Sequence, residues 1–90
     1  MVKEKTKTRN NKKDTISLTK ELILHNDDFN TFDFVIESLI EICKHDPLQA
    51  EQCSLIVHYK GKCAVKSGVF DELKPKCDEL TSRGLTATID

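Results

Sequence analysis

No stretch of this 90-residue chain is apolar for the roughly 20 consecutive residues that a membrane-crossing helix needs. A membrane partner is therefore not expected. The basic residues near the N-terminus are followed by no apolar run, so no secretory signal is read there and the expected compartment is the cytoplasm. No C-x-x-C pair occurs among the four cysteines, Cys43, Cys53, Cys63 and Cys77. Structural zinc sites use ligands about two to four residues apart, because a local turn then preorganises half the tetrahedron. Isolated cysteines read instead as small hydrophobes of the interior. Neither a metal nor a cofactor is expected. No Ser or Cys sits in a nucleophile motif, and so short a chain leaves little cavity volume for a reaction. An enzyme is not expected either.

What is present divides unevenly. The formal net charge is −1, yet residues 1–20 carry seven Lys or Arg against two acids, a balance of +5. The remaining residues carry seven basic and 13 acidic side chains, a balance of −6. A basic arm invites a nucleic-acid reading, but this one is rich in Lys, Thr and Asn and has no aromatics, a composition that cannot pack. Residues 1–17 are therefore expected to be a disordered basic leader and residues 18–90 a single folded domain. The acidic body argues against a nucleic-acid partner.

The folded part reads as six elements. Thr19–His25 is a short apolar stretch expected to form a strand, ended by Asn26, Asp27 and Asp28, whose side chains favour local hydrogen bonds over regular structure. Phe32, Val35, Ile36, Leu39, Ile40 and Cys43 then fall on one face of a 3.6-residue period. Asn30 is the expected N-cap, with Asp33 three residues on, and the helix should stop near Lys44 or His45. A second helix should open with Asp46 as N-cap, Pro47 at the first position and Gln49 in the capping-box place, and close at Lys60 with Gly61 as a left-handed cap. Residues 62–69 read as a strand bent near Gly68. Residues 71–83 read as a third helix whose start Pro75 restricts, and residues 85–89 as a closing strand. The order β-α-α-β-α-β implies an α+β domain, a three-stranded antiparallel sheet covered by three helices.

Two of these segments carry a pattern. Residues 26–39, N-D-D-F-N-T-F-D-F-V-I-E-S-L, and residues 50–62, A-E-Q-C-S-L-I-V-H-Y-K-G-K, resemble the ClpS adaptor family in motif and in spacing. The resemblance implies an adaptor that binds destabilising N-terminal residues (Leu, Phe, Tyr or Trp) of substrate proteins and delivers them to a Clp AAA+ unfoldase–protease. The partner implied is the N-terminal domain of a ClpA- or ClpC-like unfoldase. Carried over by position, Asn26, Asp27 and His58 would surround the substrate α-amino group. Asp28, Asn30, Phe32, Val35, Ser54, Val57 and Leu85 would line the pocket for its first side chain.

The chemistry agrees with that assignment. An ammonium group has three donors and one positive charge, so it calls for acceptors, anionic ones above all. An amide, a carboxylate and a neutral imidazole at the ends of elements supply them. The sequence departs from the family at two pocket positions: Thr-Pro-Met becomes Asn30-Thr31-Phe32, and a position commonly Met becomes Ser54. Phe32 should reshape the entrance, and Ser54 should enlarge and polarise the floor. The alternative is a general protein-interaction domain of similar fold without N-terminal residue recognition. Dependence on a free amine separates the two.

Overall fold

The computed structural model describes residues 19–90; the basic leader expected over residues 1–17 lies outside them. Six elements follow in the expected order: β1 (Thr19–His25), α1 (Phe32–Cys43), α2 (Pro47–Lys60), β2 (Lys62–Val69), α3 (Phe70–Ser82) and β3 (Thr86–Ile89). The strands form one antiparallel sheet in the order β2-β1-β3. The central strand β1 is the most buried of the three, and its Leu22 and Leu24 are fully buried. They join Leu39, Ile42, Val57, Leu73 and Leu80 of the helices in one core. No helix among the described residues is long and apolar enough to cross a membrane.

Local chemistry sets most of the boundaries. In α2 the Asp46 carboxylate accepts from Gln49 N at 2.9 Å and Pro47 opens the helix. Gly61 closes it at φ 96°, donating its N–H to Val57 O. Both caps are as expected. At the start of α1 the cap is Thr31, not Asn30: the Thr31 hydroxyl accepts from Phe34 N at 3.1 Å. Asn30 is occupied elsewhere, since its amide donates to the Asp27 carboxylate and to Gly84 O. The buried face of α1 is also turned from the expected one. Ser38, Leu39, Ile42 and Cys43 are its buried residues, while Phe32 keeps 38% of its surface exposed.

Two expectations about irregularities are corrected. The β-bulge lies at Val65, where the register of β2 against β1 shifts, and not near Gly68. A bulged residue leaves its carbonyl outside the ladder, and here buried His45 satisfies it by donating from Nε2 to Val65 O at 2.6 Å. Gly68 lies in the regular part of the strand: a Cβ there would meet only the flexible end of the Glu72 side chain, at 3.0 Å, and Leu73 at ordinary contact distance. The third helix begins at Phe70, five residues before Pro75. An interior proline forfeits one backbone hydrogen bond and crowds the preceding turn. Burial of Leu73 and Leu80 on either side of Pro75 holds the helix through it.

Candidate functional site

β1 ends at His25, and the next residue fixes the site. Asn26 N–H donates to Gly61 O at 2.9 Å, which ties the β1–α1 loop to the C-terminal end of α2. Two segments far apart in sequence are thereby brought together. The loop then folds around one carboxylate. Asp27 Oδ1 accepts from Phe29 N and Asn30 N, and Oδ2 accepts from Asn30 Nδ2, each at 2.9 Å. Partial burial pulls the Asp27 carboxyl up, but the hydrogen bonds from Asn30 and Phe29 outweigh it and hold the group below its ordinary value. Asp27 is thus a firm anion. Asn30 Nδ2 also reaches Gly84 O at 3.0 Å, which fastens the loop to the turn between α3 and β3.

Between this loop and the two helices lies a cavity of about 570 Å³. The loop contributes Asn26, Asp27, Asp28 and Asn30, and α1 contributes Phe32 and Val35. From α2 come Ser54, Val57 and His58, joined by Leu55 and Tyr59. Nine of the ten residues singled out from the sequence therefore share one cavity. Leu85 does not line it: with 4% of its surface exposed, it packs in the core, just beyond the Gly84 turn. The sequence reading missed Leu55 and Tyr59. The signal available in the sequence was their spacing, four residues apart on one helix face beside Ser54 and His58; in the structure both stay exposed, Tyr59 at 77%.

The cavity has two chemical ends. At its mouth, Asn26, Asp28 and His58 are exposed, and neither side chain of the Asn26–Asp28 pair makes a hydrogen bond among the described residues. The His58 ring packs nearly perpendicular to that of Tyr59, at 4.9 Å between centroids. These groups, with Asp27, are acceptors open to an incoming cation. The C-terminal end of α2 adds negative partial charge beside His58. Inward, Val35 and Val57 make an apolar wall, and Ser54 is buried with no hydrogen-bond partner for Oγ among the described residues.

The cysteines lie apart from this cavity. Cys43 is buried in the core, and Cys53, Cys63 and Cys77 pack against it as free thiols. Burial pushes the Cys43 thiol up to about 11. Burial, with the neighbouring Cys53, does the same to Cys63. Thiols so raised stay protonated and weakly nucleophilic at neutral pH. Among the described residues, no three His, Cys, Asp or Glu side chains gather in a way that could hold a metal ion.

Comparison with known proteins agrees with this architecture. Residues 19–88 match the family model described as ATP-dependent Clp protease adaptor protein ClpS. A ClpS adapter protein of Nitratidesulfovibrio vulgaris is 40% identical over 55 residues, 59% of this chain and 55% of that protein. One from Shewanella pealeana is 48% identical over 42 residues, 47% of this chain and 41% of that protein. One from Erwinia tasmaniensis is 41% identical over 56 residues, 60% and 53% of the two chains. The aligned region thus spans about half the length of these relatives. The solved structure of Agrobacterium tumefaciens ClpS2 bound to L-phenylalaninamide has the same fold, with a TM-score of 0.69. Its identity is 20%, over 80% of this chain and 94% of that one. With the family model matching 70 of the 90 residues, the chain belongs to the ClpS family of ATP-dependent Clp protease adaptors.

Proposed function

We propose that this protein is a non-catalytic adaptor that captures the N-terminal residue of a substrate protein and hands the substrate to a Clp AAA+ unfoldase–protease in the cytoplasm. The substrate's α-ammonium sits among Asn26, Asp27 and His58, and its first side chain (Leu, Phe, Tyr or Trp) enters the cavity between Val35 and Val57. The N-terminal domain of a ClpA- or ClpC-like unfoldase receives the loaded adaptor. The observation that carries this reading is the Asn26 N–H···O=C Gly61 bond. That bond joins the loop to the end of α2, and the loop acceptors and His58 line one cavity together with the apolar Val35 and Val57.

The energetics suit a transfer. Burial of a Leu or Phe side chain contributes about 1.5–3 kcal/mol. Charge-assisted hydrogen bonds to the ammonium contribute about 1.5–3 kcal/mol each. After the cost of association, such a site reaches micromolar affinity, about −8 kcal/mol. That is tight enough to collect a substrate and weak enough to release it. A hydrolytic role finds little support: no base reaches the Ser54 hydroxyl, the one aliphatic hydroxyl of the cavity wall. The A. tumefaciens ClpS2 structure was solved bound to L-phenylalaninamide, a free amine beside a large side chain, and this supports the reading.

The test is a pair of peptides beginning with Leu or Phe, each with a free and an acetylated terminus. Acetylation removes the charge and leaves acceptors unpaired, at a cost of about 1–3 kcal/mol or more. The expected result, by calorimetry or fluorescence anisotropy, is that the free peptides bind and the acetylated ones lose at least tenfold in affinity. Equal affinity of both forms would refute the reading.

A further inference from the structure

We propose that the site prefers tyrosine to phenylalanine as the first residue of its ligand, because Ser54 offers the inner wall of the cavity a hydroxyl that no described residue satisfies. The proposal rests on the N-terminal-residue reading above and goes beyond it to the ranking of side chains. Ser54 has 2% of its surface exposed, and its Oγ is shielded from water without a hydrogen-bond partner. A serine within a helix ordinarily returns its hydroxyl to a carbonyl three or four residues back. Ser54 does not, so neither Ala50 nor Glu51 accepts from it. Unpaired buried hydroxyls are uncommon because each forfeits the hydrogen bonds it had with water. One that lines a ligand cavity has an obvious use.

The placement along α2 gives that use its length. His58 is exposed at the mouth and Ser54 lies one helical turn further in, roughly 6 Å along the axis. That separation is comparable to the reach of a tyrosine side chain from its Cα to its phenol oxygen. A ligand whose ammonium lies beside His58 would therefore bring a phenol, but not a phenyl ring, to a hydrogen-bonding group. The rest of the inner wall competes weakly. Val35 and Val57 have no polar atoms, and both amide hydrogens of Asn30 are committed, one to Asp27 and one to Gly84 O.

The predicted discrimination is that of one neutral hydrogen bond, about three- to tenfold in affinity. Peptides identical except for a first Tyr or Phe, each free or acetylated, are titrated against the full chain and against Ser54→Ala. The expected outcome is a threefold or larger preference for Tyr in the wild type. In Ser54→Ala the ratio should fall to one or below, because a phenol there is buried without a partner. Ser54→Cys keeps the shape with a weaker hydrogen-bonding group, and should give a reduced ratio even where alanine disturbs folding. A Tyr/Phe ratio near one in the wild type, or a ratio unmoved by both variants, would overturn the preference. Were amine dependence retained in that case, the adaptor site would stand without its hydroxyl. Equal binding of the acetylated peptides would remove the site reading and the preference together.

Discussion

The Asp27 carboxylate receives three hydrogen bonds from the loop it opens, and together they favour the ionised form. Burial works against ionisation, but the hydrogen bonds win, so the folded-state pKa lies below the ordinary 3.8. The sign follows directly. A depressed carboxyl contributes stability that is fully present above its unfolded pKa and is lost as the pH falls through the lower folded value. Asp27 should therefore support the fold at neutral pH and withdraw that support only in strong acid, below about pH 4. Asp27→Asn removes the titration. Urea midpoints measured from about pH 6 down to about pH 2.5 should show a lower plateau for the variant and a shallower acid decline than for the wild type. Parallel curves would mean that Asp27 does not titrate with folding. The same residue bears on the site, because the loop it organises holds Asn26 and Asp28 at the cavity mouth.

Elements show where local rules suffice and where packing overrides them. Both ends of α2 were legible because Asp46, Pro47, Gln49 and Gly61 each act through the nearest backbone. The start of α1 was misread by one residue, since Asn30 and Thr31 are both good caps and only the tertiary demand for Asn30 at Gly84 O separates them. This distinction has a measurable consequence. Thr31→Ala should cost about 1 kcal/mol of global stability by loss of the cap. Asn30→Ala should cost peptide affinity out of proportion to its effect on stability, because it frees the loop from both Asp27 and Gly84. Denaturation and peptide titration of the two variants should separate them along those two axes; a larger stability loss from Asn30→Ala would make Asn30 the structural residue of the pair. The Val65 bulge and the passage of α3 through Pro75 were hidden for a related reason. One depends on a carbonyl that His45 satisfies from another element, and the other on leucines buried beneath the helix. The cavity itself was largely legible because residues 26–39 and 50–62 resemble the ClpS motif in residue type and spacing, which carries the site positions over one by one. The family resemblance assigns Leu85 to the pocket, whereas it packs in the core and is not among the residues that line the cavity.

On the scale of the whole molecule, site and core are separable in energy although they share elements. α1 turns Leu39, Ile42 and Cys43 into the core and presents Phe32 and Val35 to the cavity. α2 does the same with Val57 and with His58 and Tyr59, so the site is built on two helices already held by their inner faces. Stability and recognition should then respond to different substitutions. Leu73 belongs to α3, is 1% exposed and is not one of the residues that line the cavity. Leu73→Ala deletes buried methyl groups and leaves a void, costing about 2–5 kcal/mol, a large share of the stability available to so small a domain. At a temperature where the variant remains folded, its peptide dissociation constant should match the wild type within about twofold, while the urea midpoint falls steeply. A matching drop in affinity, measured with the folded fraction accounted for, would mean that α3 sets the cavity's shape through the core, and that the two helix faces do not act independently.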